Sequence, residues 1–119
     1  MSRHHKLDYA EFHSRDLAKT KAFFEEAFDW KFTDYGDDYI AFAREGLEGG
    51  FFKSDARPDD IKGHPVLIFY SDTLEQSLQV VNDAGGVITD EIFSFPGGRR
   101  FHFTEPGGNE FAIWTETTE

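Results

Sequence analysis

Two segments of this 119-residue chain, offset by 57 positions, pass through the same succession of elements, and that duplication restricts the fold more than any single motif does. Ser14-Arg15-Asp16-Leu17 falls on Ser71-Asp72-Thr73-Leu74, and Tyr9 falls on Val66. Identities between the copies are few, so the repeat rests on the order of elements. In the first copy Leu7, Tyr9, Glu11 and His13 alternate with Asp8, Ala10 and Phe12, the period of a strand. The period then lengthens. Leu17, Phe24 and Phe28, widened by Ala22, Phe23 and Ala27, form the stripe of an amphipathic helix, which Asp16 or Ser14 can cap and Asp29 can end in the left-handed conformation. Trp30 to Thr33, Tyr39 to Ala43 and Gly49 to Lys53 read as three short strands.

The second copy opens on Val66 to Tyr70, a continuous apolar run that fits a buried strand. Asp72 followed by Glu75 predicts a capping box, and Leu74, Leu78, Val81 and Ala84 mark one helical face that Gly85-Gly86 ends. Val87 to Ile92, Arg100 to Thr104 and Glu110 to Thr115 supply three more strands. Each half is therefore a β-α-β-β-β module, residues 7–53 and 64–116, joined by the polar stretch 54–63. One module alone leaves a sheet face wet. Two together predict an α+β domain whose curved mixed sheet surrounds a cup, with the helices on the outer face.

Between the last two strands, Glu105-Pro106-Gly107-Gly108-Asn109 can only be a turn: proline fixes one φ, the glycines permit positive values, and Asn109 tolerates left-handed geometry. The strand after it places Phe111, Ile113 and Thr115 on one face, and Ala112, Trp114 and the glutamates 110 and 116 on the other, a face suited to lining a pocket.

Composition narrows the function. Fourteen Phe, four Tyr and two Trp are enough for one modest core. Twelve basic against 23 acidic residues give a net charge of -11, which repels phosphate backbones and anionic membranes, so no nucleic-acid or membrane partner is expected. Without cysteine there are no disulfides, thiolate metal sites or thiol nucleophiles. The first residues lack the apolar core of a leader and no apolar run reaches membrane-spanning length, so the expected location is cytoplasmic. His4 and His5 are adjacent and can bind a metal, but they lie in a polar end. Gly97-Gly98 and Gly107-Gly108 lack the strand-to-helix context of a phosphate-binding loop, and Ser14, Ser71 and Ser94 lack the base-and-orienter pattern of a nucleophile.

The first strand, the run Arg15-Asp16-Leu17-Ala18-Lys19-Thr20-Lys21-Ala22-Phe23-Phe24 with Phe28-Asp29-Trp30 behind it, the Gly85-Gly86 helix end and Glu105 to Asn109 before the last strand together resemble the vicinal oxygen chelate superfamily. That group includes glyoxalases, extradiol dioxygenases and bleomycin- or fosfomycin-resistance proteins, and the resemblance runs from Leu7 to Glu116. It implies a small glyoxalase-like member of unassigned substrate, and a homodimer. In metal-using members the ligands stand on the first and last strands of each module; the matching positions here are Tyr9, Gly50, Val66 and Ala112. Gly50, Val66 and Ala112 have no side chain able to bind metal and a neutral Tyr is a poor ligand, so no cofactor is expected at those positions.

Other residues offer alternatives. Glu11 and His13, two apart on a strand, point the same way and form half a metal site or an acid-base pair; a third ligand would have to come from His64, His102, Glu110 or Glu116. Tyr9, Tyr70 and Trp114 share the inner face by parity and can stack a planar ligand. Arg99 and Arg100 follow Pro96-Gly97-Gly98, read as a flexible stretch over the cavity mouth, and can clamp a carboxylate or phosphate. The expected ligand-binding set is thus Tyr9, Glu11, His13, Tyr70, Arg99, Arg100, His102 and Trp114, with Glu11 and His13 as catalytic candidates. Three functions follow: metal-free binding of a small aromatic or amphipathic molecule, a metal-dependent lyase, isomerase or dioxygenase using Glu11 and His13, or a non-catalytic dimeric interaction subunit.

Overall fold

The first change of period is where a strand gives way to a helix. In the computed structural model, which describes residues 4–5, 8–43, 46–55 and 65–117, β1 (Tyr9–Ser14) leads into α1 (Leu17–Phe28). The Asp16 carboxylate accepts the Lys19 N–H at 3.0 Å, and Asp29 closes the helix at φ 58°. β2 (Phe32–Asp34), β3 (Tyr39–Phe42) and β4 (Glu48–Lys53) complete the first module. The second runs β5 (Leu67–Tyr70), α2 (Leu74–Asp83), β6 (Val87–Phe95), β7 (Gly98–Thr104) and β8 (Glu110–Glu116). The expected 54–63 connection falls almost wholly outside the described residues, as do Leu7 and His64.

Each module forms its own four-stranded mixed sheet, in the orders β1-β4-β3-β2 and β5-β8-β7-β6, and in each the first strand lies parallel to the last. The duplication extends to single hydrogen bonds. Ser14 Oγ bonds Thr20 Oγ1 at 2.7 Å and takes the Asp16 N–H; 57 residues on, Ser71 Oγ bonds Ser77 Oγ at 2.6 Å and takes the Thr73 N–H.

The α1 helix joins the two sheets. Phe24, 0% exposed, packs its ring 5.5 Å from Phe51 of the first sheet and 5.6 Å from Phe111 of the second, while Phe23 lies 5.8 Å from Phe103. The alternate residues Phe12, Phe51, Phe111 and Ile113 form the helix-side core, which leaves Tyr9, Glu11 and His13 on the opposite face of sheet one and Ala112 and Trp114 on that of sheet two.

Several local expectations need correction. Trp30 belongs to no strand: the left-handed turn at Asp29 drops it into the core, 4.7 Å from Phe24 and 4.6 Å from Phe42. β5 is not a buried strand, because among the described residues it pairs only with β8 and stands at the edge of its sheet, with Leu67, Ile68 and Tyr70 exposed. The capping box does not form. Thr73 rather than Asp72 is the N-cap residue, and the Glu75 carboxylate turns to the Arg99 guanidinium at 2.6 Å, which holds its pKa below the usual range. Pro96-Gly97-Gly98 is no flexible cover: Phe95 and Gly98 are ladder partners, so Pro96 and Gly97 (φ 99°) make a two-residue hairpin turn.

The Glu105 to Asn109 turn docks onto the junction of β1 and α1. Glu105, 1% exposed, accepts from Gly107 N–H (2.7 Å), Thr20 hydroxyl (2.8 Å), and the Asn109 backbone (3.2 Å) and side-chain (2.6 Å) N–H groups. The Asn109 amide also donates to the His13 carbonyl at 2.6 Å, and Arg15 N–H donates to the Gly107 carbonyl at 3.0 Å. Gly108, not Asn109, takes the positive φ. A methyl at Gly107 would collide with the Thr20 and Ser14 hydroxyls, so only glycine lets the turn come this close.

Candidate functional site

The sheet faces turned away from the helices carry the polar and aromatic groups. On sheet one, Tyr9, Glu11 and His13 project from β1, Gly50 and Phe52 from β4, and Tyr39 and Ala41 from β3. The Tyr9 and Tyr39 hydroxyls are 2.7 Å apart, and Tyr39 donates to Glu11 Oε2 at 3.0 Å. Burial, and then the bonds to Tyr9 and Glu11, push the Tyr39 hydroxyl above its ordinary pKa, so it stays protonated as the donor to Glu11. A hollow of ≈ 720 Å³ opens here, bounded by Tyr9, Thr33, Tyr35, Tyr39, Ala41 and Glu48 among others. His13 is nearly buried, its ring 6.3 Å from that of Phe52.

Sheet two brings together a second group. Tyr70 meets Trp114 edge-on at 5.2 Å, and the Tyr70 hydroxyl donates to Glu116 at 3.3 Å. Arg99 and Arg100 are successive strand residues and so emerge on opposite faces. Arg99 is taken by Glu75 on the helix side, whereas the Arg100 guanidinium lies 5.4 Å from the Phe93 ring centroid and 5.6 Å from that of Phe95, opposite Trp114 in the ladder. Its Nε is buried and has no hydrogen-bond partner among the described residues. His102, on the same face, lies parallel to Phe93 at 5.9 Å with Nδ1 3.1 Å from Glu110 Oε2.

Of the expected set, Tyr9, Glu11 and His13 thus share sheet one, while Tyr70, Arg100, His102 and Trp114 share sheet two. Sequence reading missed Tyr39, Phe93 and Phe95. The two phenylalanines stand two apart, a strand period that would show if β6 were carried past Ile92.

The Glyoxalase/Bleomycin resistance protein/Dioxygenase superfamily model matches residues 6–113, and the chain belongs to that superfamily, with the vicinal oxygen chelate fold. Among solved structures, a glyoxalase-related enzyme from Fulvimarina pelagi is similar at 17% identity and TM-score 0.78, covering 94% of this chain and 88% of that one. A fosfomycin resistance protein from Mesorhizobium loti matches at 18% identity and TM-score 0.73 (95% and 93% covered), and a lactoylglutathione lyase from Agrobacterium tumefaciens at 13% and 0.69 (93% of each). At such identities the likeness is one of fold. No curated protein matches the sequence.

The positions matching the superfamily's metal ligands do not fit an ion here. Tyr9 is bonded to Tyr39, and the Tyr39 phenol fills the space into which any side chain at Gly50 would project. Val66 precedes β5, and Ala112, fully buried, has no donor atom in its side chain. Glu11 and His13 find no third ligand: among the described residues, the group of three metal-binding side chains that converges is Asp90, His102 and Glu110, on sheet two.

Proposed function

We propose that this protein binds a small aromatic or amphipathic molecule with an acidic group, without a metal at the positions the superfamily uses. The observation that carries the reading is Arg100: a guanidinium lying over two phenylalanine rings, with a buried Nε that has no acceptor among the described residues, and opposite Trp114 in the ladder, whose ring meets that of Tyr70. A buried donor without an acceptor is costly, and a carboxylate supplies charge as well as two lone-pair directions. Flat rings beside it favour a planar body on the ligand. The glyoxalase-related and fosfomycin-resistance neighbours, whose names refer to small-molecule chemistry, are consistent with such a site.

The test uses aromatic carboxylic acids paired with their neutral amides, read by tryptophan emission and by melting temperature. Acids are expected to shift both signals and the amides neither. Arg100→Gln should weaken acid binding by at least about tenfold, the worth of one charge-assisted hydrogen bond. Equal response to acids and amides, or silence across the panel, would remove the reading.

The metal-dependent reading through Glu11 and His13 gains no support, since Glu11 is committed to Tyr39 and the two lack a third ligand among the described residues.

A further inference from the structure

Asp90, His102 and Glu110 come from three neighbouring strands of sheet two, β6, β7 and β8. One donor atom of each lies within 4.8 Å of the other two. Asp90 and His102 are ladder partners, and the β6–β7 register slips on both sides of Asp90, between Ile88 and Asp90 and again between Asp90 and Phe93. Such irregularities re-aim a side chain, and here they set a carboxylate against an imidazole. The His102 side chain is only 11% exposed, so the Phe93 ring and the Glu110 bond fix its orientation. Two carboxylates this close repel each other, and among the described residues neither is paired with a lysine or arginine.

We propose that these three side chains bind a divalent transition-metal ion. One imidazole and two carboxylates, with no thiolate, are the donor set of zinc, manganese and cobalt sites, and their two negative charges match a divalent ion. Nitrogen and oxygen ligands sit about 2.0–2.2 Å from zinc, so the three groups have to close by roughly 1 Å, which Asp and Glu torsions allow. Three protein ligands leave a position open for water or another molecule. The site is displaced from the superfamily's positions and replaces none of them: Glu110 precedes Ala112 by two residues on the same face, and His102 is the ladder partner of Ala112. The inference goes beyond the binding role proposed for Arg100 and does not depend on it.

The test takes the full chain carrying His4→Ala and His5→Ala, which removes the adjacent N-terminal histidines, strips it with EDTA, and titrates Zn²⁺ by calorimetry and Co²⁺ by visible absorption. One ion per chain is expected, with a rise in melting temperature. His102→Gln and Glu110→Gln should each weaken uptake by more than the roughly 10- to 100-fold that loss of a ligand's hydrogen-bond partner costs, while Glu11→Gln leaves it unchanged. Asp90→Asn, at an exposed position, carries the same expectation where His102→Gln fails to fold. Absence of stoichiometric uptake of either ion, or uptake that survives the ligand substitutions, overturns the proposal. Acid binding at Arg100 is measured on stripped protein, so either result stands without the other.

Discussion

Phe24→Ala is expected to destabilise the protein by about 3–5 kcal/mol, a large part of the roughly 5–15 kcal/mol that holds a domain folded. Phe24 is 0% exposed, and its ring lies within 6.4 Å of those of Phe23, Phe28, Trp30, Phe32, Phe51 and Phe111. Those neighbours come from α1, both sheets and the turn after the helix, so no single element can relax inward to fill the space. The cavity term therefore adds to the lost transfer energy. Thermal unfolding should show a fall of roughly 10–20 °C, with Phe24→Leu costing far less. Trp30 reports the same event: in a Trp114→Phe background its emission should move to longer wavelength as the ring 4.7 Å away is removed. A drop of only a few degrees would mean that the sheets are not joined through this residue.

That joining role was half legible in the sequence. The 3.6-residue stripe names Phe24 as a core residue, but a stripe says only that something is buried, not that one ring touches both modules. The same limit explains β5. Apolar composition fits a buried strand, whereas edge or centre is decided by which partners arrive, and among the described residues only β8 does. Period-two alternation placed Phe111, Ile113 and Thr115 against Ala112 and Trp114 correctly, because the pleat itself enforces it. The same rule separates Arg99 from Arg100, once β7 is seen to begin at Gly98 instead of Arg100. His102 and Glu110 were visible as possible ligands for Glu11 and His13. They meet each other and Asp90 instead, and Asp90 carried no signal because the two register shifts beside it break the alternation that would have set its face.

Glu105 reads as one more polar turn residue, and its substitution should have the second large effect. All its partners in the turn are local, but Thr20 is 85 residues away, and Asn109, which Glu105 orients, reaches the His13 carbonyl 96 residues away. In Glu105→Gln the amide group must face either the Gly107 N–H or the two Asn109 donors, since both carboxylate oxygens accept from N–H groups. One backbone donor is then left buried without an acceptor, a cost of about 1–3 kcal/mol before the loosened Asn109 is counted. We expect a fall in melting temperature of roughly 5–15 °C. The effect also depends on pH. Burial raises the Glu105 pKa, although the bonds from Gly107, Thr20 and Asn109 pull against it. A carboxyl whose folded pKa lies above its unfolded value binds protons more readily in the folded state, so its contribution is full below the unfolded pKa and declines as pH rises through the folded one. Wild type should therefore lose stability across that interval relative to Glu105→Gln, and the gap between them should be widest in acid. A gap that instead widens as pH rises would show that the four donors outweigh burial and hold Glu105 ionised.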